Sequence, residues 1–172
     1  MNDNQPLTMP SPEPESLPSK GKPGRFWQVF WLTFLVVSLG YAWYSFYAPS
    51  NRIVWAANYT VAQQQAVESD KPIILFFTAR WCSPCRIMKR NIWADEQVMN
   101  TVNAAFIPVT IDVDDPDAAA ALSRYNVVAT PNTIITDPQG KVLEQVEGGM
   151  GKTDFLELLR RLNSSAAPPN LQ

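Results

Sequence analysis

The sequence contains no histidine at any of its 172 positions. That absence excludes Ser-His and Cys-His nucleophilic pairs, histidine metal sites and histidine proton shuttles. Cysteine is also scarce, because the chain has only Cys82 and Cys85. Two cysteines cannot build the disulfide framework of a small secreted scaffold, so the pair has to be judged as one local chemical unit.

The sequence also has no large excess of positive or negative charge. The 14 Lys and Arg residues nearly offset the 16 Asp and Glu residues, which leaves a formal net charge of -2. No long run of either sign occurs in the C-terminal two thirds of the chain. Because nucleic-acid binding depends on clustered basic residues, we expect no nucleic-acid partner.

The first 25 residues have few side chains that could form a core. They hold six of the fifteen prolines, together with Ser, Glu and Lys and almost no large apolar residue. Such a segment cannot bury enough apolar surface to offset the entropy lost on folding. We therefore predict that residues 1–25 are disordered. The basic residues discussed next place this segment in the cytoplasm.

Residues 26–48 have the opposite composition, with no charge and many Phe, Trp, Leu, Val and Tyr side chains. As a helix this stretch would be about 34 Å long, which is enough to cross a bilayer core. Aromatic residues lie near both ends, and Lys20, Lys22 and Arg25 precede it. The positive-inside rule then predicts a single transmembrane anchor with the C-terminal part outside the cytoplasm.

Two other interpretations of residues 26–48 stay open. Gly40 and Ala42 have the separation of small residues found at signal-peptide cleavage sites. A buried core helix agrees less well, because the segment is apolar on every side. The length of the apolar run, its bulky aromatics and the long region before it favour an uncleaved anchor.

Residues 52–163 alternate between helix and strand signals. A helix is predicted at Tyr59–Ser69, where Thr60 and Gln63 have the spacing of a capping box. The apolar run Ile73–Thr78 predicts a strand buried on both faces of a sheet. Further helices are predicted at 84–91, 95–104, 115–125 and 150–162, and further strands at 106–111, 133–136 and 141–147. Asp95 is the predicted N-cap of its helix, and the last helix has an apolar stripe that is expected to cover the sheet: Phe155, Leu158, Leu159 and Leu162. This order predicts an α/β domain with a mixed central sheet flanked by helices, followed by a flexible tail at 164–172.

The two cysteines directly follow the first predicted strand and begin a predicted helix. The N–H groups and macrodipole at a helix start stabilise a thiolate, so Cys82 is predicted to be the nucleophile. The spacing, with Pro84 in the first helical turn, brings Cys85 close enough to attack a mixed disulfide on Cys82. Cys85 is then the resolving thiol, and the exchange needs neither a metal nor an organic cofactor.

A lone C-x-x-C pattern also occurs in zinc sites and at haem attachment sites. Zinc would need two more ligands, and the chain has no other cysteine and no histidine. Haem attachment requires a histidine after the second cysteine, where this chain has Arg86. A purely structural disulfide around so short a loop would add little stability. Redox activity is therefore the expected function, with no metal site.

Four features, in chain order, resemble the thioredoxin family over residues 59–162: the buried strand, Trp81-Cys82-Ser83-Pro84-Cys85, Thr130-Pro131 and Gly148-Gly149. The resemblance implies a thioredoxin fold in which Pro131 follows a cis bond and faces the cysteines. It also implies that Trp81, Pro131 and the backbone of Thr130 contact an extended substrate. The alternative is that Pro131 only begins an edge strand.

Within that family, the segment from Arg86 to Trp93 is most similar to membrane-linked reductase domains such as the C-terminal domain of the DsbD electron carrier. Those relatives carry an acidic residue six positions before the first cysteine, where it assists proton transfer. Phe76 occupies that position here, so water or another carboxylate would have to serve the resolving step. Four basic residues around the motif either stabilise the Cys82 thiolate or form a solvated helix face: Arg80, Arg86, Lys89 and Arg90.

Together these features predict a thiol-disulfide oxidoreductase that reduces disulfides in envelope or secreted proteins. We expect a monomer that is tethered to the bacterial inner membrane, has its catalytic domain in the periplasm and receives electrons from a membrane carrier. The Ser-Pro pair between the cysteines is closer to the Gly-Pro of reducing thioredoxins than to the Pro-His of strong oxidants. Two alternatives remain: a disulfide oxidase or isomerase, suggested by Thr130, and a non-catalytic thioredoxin-fold module that holds a partner during assembly.

Overall fold

The computed structural model describes residues 24–47 and 50–166, and these divide between Tyr44 and Ser45 into two units. The predicted disordered segment lies almost wholly outside the described residues, as does residue 48 of the predicted anchor. In chain order the elements are α1 (Arg25–Phe46), α2 (Tyr59–Ser69), β1 (Ile73–Thr78), α3 (Ser83–Met88), a π-helical turn (Lys89–Trp93), α4 (Glu96–Ala105), β2 (Ile107–Asp112), a 3-10 turn (Pro116–Ala118), α5 (Ala119–Arg124), β3 (Asn132–Thr136), β4 (Val142–Glu147) and α6 (Lys152–Ala166).

Helix α1 coincides closely with the predicted membrane anchor. It has 22 residues and no buried side chain. Among the described residues it is the one helix long and apolar enough to cross a membrane. Four aromatic rings in its first half contact one another, with 5.7 to 6.1 Å between their centroids: Trp27, Phe30, Trp31 and Phe34.

The second unit contains a four-stranded sheet in the order β2-β1-β3-β4. Strand β2 is parallel to β1, whereas β3 and β4 are each antiparallel to their neighbour. The sheet is therefore mixed, as predicted. All six residues of β1 are buried, because an uninterrupted apolar run can be covered only if helices lie on both faces.

Alternate side chains of β1 enter two separate cores. Ile74 and Phe76 lie in the core formed with α3, α4 and α6. Ile73, Leu75 and Phe77 lie in the core formed with α2 and α5. The predicted apolar stripe of α6 packs in the first core, where Phe155, Leu158 and Leu159 are buried and Leu162 is partly buried. Leu156 is buried there as well.

Side-chain caps decide where several helices begin. The Oδ1 atom of Asn58 accepts the backbone N–H of Val61 at 2.9 Å and caps α2. The predicted capping box of Thr60 and Gln63 is therefore wrong, because Thr60 already lies inside the helix that Asn58 caps. Asp95 caps α4 as predicted, since its carboxylate accepts the first-turn N–H groups of Gln97 and Val98.

Two helix boundaries differ from the sequence prediction. The helix predicted at 84–91 is α3 followed directly by the π-helical turn, which ends at the fully buried Trp93. Such a turn adds a residue to the helical repeat and has no simple signature in sequence. Helix α6 extends to Ala166, beyond the predicted domain end at residue 163. The rest of the predicted tail, residues 167–172, lies outside the described residues.

Candidate active site

The cysteines lie at the end of the central strand, where the chain turns from β1 into α3. Cys82 is the N-cap of α3 and is joined to Cys85 by a disulfide, with 5.3 Å between the two Cα atoms. Both side chains are buried. The Sγ atom of Cys82 accepts the backbone N–H of Cys85 at 3.2 Å. The first turn of the helix therefore points a donor at the sulfur of Cys82.

This hydrogen bond has a direct chemical consequence. An N-cap side chain accepts N–H groups that have no partner within the helix. Those donors and the helix dipole stabilise a negative charge more than a neutral thiol. In the dithiol form the arrangement favours a thiolate on Cys82, with Cys85 behind it in the first helical turn.

Trp81 lies on the surface beside the motif, and the loop after β2 holds its ring in place. Its side chain is 67% exposed. Its indole Nε1–H donates to Oδ1 of Asp114 at 3.2 Å. The sequence analysis did not identify Asp114. Its one signal is its position just after β2, since the carboxyl ends of parallel strands meet at the same edge of a sheet.

Pro131 lies immediately before β3, and its bond to Thr130 is cis, as the family resemblance implies. Asn132, the first residue of β3, pairs with Phe77 near the end of β1. Pro131 is therefore at the same end of the sheet as the cysteine loop, and it is buried. Substrate binding by Trp81, Thr130 and Pro131 stays a prediction.

Position 76 lies in a cluster of aromatic rings. Phe76 is fully buried, and its ring centroid is 5.1 Å from that of Trp93. Trp93 also contacts Trp55 and Phe155, each at 5.0 Å. Across residues 24–47 and 50–166 the buried polar side chains are uncharged: Thr78, Asn132, Thr133 and Thr136. That part of the chain therefore has no buried carboxylate that could act in place of an acid at position 76. It also has no group of three or more Cys, Asp and Glu side chains that could hold a metal ion.

Three of the four basic residues around the motif do more than face solvent: Arg86, Lys89 and Arg90. The guanidinium of Arg86 donates to the carbonyl oxygen of Arg80 at 3.0 Å and to Oγ of Ser83 at 2.9 Å. It thus braces the loop that carries Cys82. Lys89 is half-buried; burial lowers the pKa of its ammonium group, and the carboxylate of Asp112 acts in the opposite direction.

Comparisons with known proteins agree with this geometry. A family model described as a thioredoxin-like domain matches residues 59–163. The thiol:disulfide interchange protein DsbD of Ralstonia nicotianae is 30% identical over 112 residues, which cover 63% of this chain and 18% of that protein. Thioredoxin H2 of Arabidopsis thaliana is 37% identical over 91 residues, which cover 52% of this chain and 61% of that protein.

A solved structure gives the same fold. The solution structure of a thioredoxin from Thermus thermophilus superposes with a TM-score of 0.61 at 22% identity, and the match covers 67% of this chain and 90% of that one. At this identity the likeness shows the fold alone. The chain spans less than two thirds of the length of either curated relative.

Proposed function

We propose that this chain, which belongs to the thioredoxin-like domain family, is a membrane-tethered thiol-disulfide oxidoreductase that reduces disulfides in extracytoplasmic proteins. The observation that carries the proposal is the position of Cys82 at the start of α3, where the N–H of Cys85 points at its sulfur. Helix α1 supports the tether.

The reaction proceeds in two exchange steps. The Cys82 thiolate attacks one sulfur of a substrate disulfide, the substrate S–S bond breaks, and the other sulfur leaves as a thiolate that takes up a proton. Cys85 then attacks Cys82 Sγ and releases the second substrate thiol. The dithiol has supplied two electrons and become a disulfide, so a membrane dithiol carrier has to reduce it again.

The surface around the cysteines would bind an extended segment of the substrate. Trp81, fixed by Asp114, forms one wall of this surface. The exposed Ser83 and Pro84 form its centre. The backbone of Thr130 before the cis Pro131 lies at the same sheet end and would pair with the segment.

Trapping of the mixed disulfide tests the exchange assignment. In the full-length Cys85→Ser variant the second step cannot occur, so we expect covalent adducts with envelope proteins that dithiothreitol releases. The matched Cys82→Ser variant keeps one thiol but lacks the nucleophile, and it should give none. Equal trapping by both variants, or none by either, would contradict the assigned roles of the two cysteines.

The location is tested with single-cysteine variants on a Cys82→Ser/Cys85→Ser background. Lys141→Cys places a thiol on an exposed turn of the catalytic unit. Ser19→Cys places one before α1. An impermeant maleimide should label Lys141→Cys in intact cells and Ser19→Cys only after lysis. The reverse pattern would refute a periplasmic catalytic unit.

A further inference from the structure

The resolving step needs a thiolate on Cys85, yet the surroundings of this sulfur disfavour one. Cys85 is fully buried, and burial penalises the charged form of a thiol. Position 76 offers an aromatic ring instead of an acid, and the buried polar residues in the described part of the chain are uncharged. The group that stabilises the thiolate must therefore reach the sulfur from a partly exposed position.

Lys89 lies one helical turn after Cys85. Its backbone N–H donates to the carbonyl oxygen of Cys85, which is the spacing that puts two side chains on the same helix face. The side chain is half-buried, so its ammonium group loses hydration, which lowers its pKa.

The counter-charge of Lys89 comes from another element. Asp112 ends β2 and is the Cα partner of Thr78 at the end of β1. The next N–H, from Val113, donates to the carbonyl oxygen of Thr78 at 2.9 Å. Asp112 is therefore fixed at the sheet end that carries the cysteines, and its carboxylate favours the charged form of Lys89.

Other charged groups around the motif are held by partners of their own. Arg86 is bound to the Arg80 carbonyl and to Ser83, and Arg90 also has a partner. The Asp114 carboxylate accepts the indole of Trp81. Lys89 is the half-buried cation that lies one helical turn after Cys85, on the same face of the helix.

We propose that the ammonium group of Lys89 stabilises the Cys85 thiolate in the resolving step, in place of an acid at position 76. The Cys85 thiol gives its proton to solvent, and its sulfur attacks Cys82 Sγ. The bond between Cys82 and the substrate sulfur breaks, and that sulfur leaves with the electron pair and takes up a proton. Lys89 acts through its charge and neither gains nor loses a proton in this step. The inference rests on the exchange chemistry of the proposed function and is independent of its reducing direction.

The direct test is the pKa of Cys85 in the full-length chain with Cys82→Ser, held in a mild detergent. Ultraviolet thiolate absorbance is followed against pH, and the signal of the Cys82→Ser/Cys85→Ser variant is subtracted to remove the tyrosines. We expect Lys89→Met, which keeps the aliphatic stem, to raise the pKa of Cys85 by about one unit. Lys89→Arg should restore it.

The matched control is Lys141→Met, an exposed lysine in the turn at the opposite end of the sheet, which should leave the pKa of Cys85 unchanged. An unchanged pKa in Lys89→Met, or an equal shift in Lys141→Met, overturns the proposal. Lys89→Gln serves as a second neutral variant if the methionine variant does not fold.

A kinetic readout uses both cysteines and glutathione as the probe. The mixed disulfide between Cys82 and glutathione should be resolved about tenfold more slowly in Lys89→Met near neutral pH, with the difference vanishing at alkaline pH. Equal rates at neutral pH would refute the role of Lys89. Neither assay uses a protein substrate or an electron donor, so an error in the proposed direction leaves both results intact.

Discussion

Replacing Phe76 with aspartate should destabilise this chain severely. Phe76 is fully buried, and its ring lies 5.1 Å from that of Trp93. Loss of a buried Phe side chain costs about 3 to 5 kcal/mol. A buried carboxylate without a partner adds about 1 to 3 kcal/mol. The sum of about 4 to 8 kcal/mol compares with a total unfolding free energy of about 5 to 15 kcal/mol for a typical domain.

The matched control is Phe76→Leu, which keeps the site apolar and should cost about 1 kcal/mol. Urea unfolding of the full chain in a mild detergent, followed by tryptophan fluorescence, gives both free energies of unfolding. Burial raises the pKa of the new carboxyl above its unfolded value, so the folded state binds more protons and stability falls as pH rises. The difference between the two variants should therefore shrink on acidification. If the two unfolding free energies lie within about 1 kcal/mol near neutral pH, the site can hold a carboxylate and the argument is refuted.

Three further changes probe separate parts of the fold by urea unfolding. Asn58→Ala removes the cap of α2 and should cost about 1 kcal/mol, whereas no loss would mean that α2 does not depend on this cap. The hydrogen bond from Lys152 holds the pKa of Asp95 below its usual range. The carboxylate therefore stabilises the fold fully above its unfolded pKa of about 3.9, and this stabilisation is lost as the pH falls through the pKa of the folded state. Asp95→Asn keeps the cap and should therefore destabilise most near neutral pH and progressively less as pH falls below about 3.9; an equal loss at neutral and acidic pH would exclude the charge as the cause. Gly140→Ala and Gly148→Ala both force a side chain onto a positive φ, +84° and +85°, so each should cost about 1 kcal/mol. The new Cβ at position 140 would lie 2.6 Å from the end of the flexible Arg124 side chain, which can move aside, and no loss of stability at either position would contradict the argument from φ.

The features that the sequence predicted correctly depend on residues that are close together in the chain. The uninterrupted apolar run of β1 left one solution, a strand covered on both faces, and the structure has it with the same bounds. The cysteines follow that strand directly, so their place at a helix start also followed from neighbouring residues. Asp95 was predicted as a cap because carboxylates at helix starts act within their own turn.

The features that the sequence did not predict have two origins. Some are contacts between residues that are distant in the chain, and one is a choice between two nearby residues that could each cap the same helix. Trp81 and Asp114 are 33 positions apart and meet only because β1 and β2 are parallel. The influence of the Asp112 carboxylate on the pKa of Lys89 has the same origin. Asn58 and Thr60 are both good caps two residues apart, and the choice between them depends on backbone geometry that composition does not encode.

If Cys82 and Cys85 form a reducing dithiol, their reduction potential is the property that shows it. The full chain in detergent would be equilibrated with glutathione or dithiothreitol buffers, and its thiols would be counted by alkylation. For a reductase we expect a potential near that of thioredoxins, about -270 mV. A potential near about -120 mV would contradict it and indicate an oxidase.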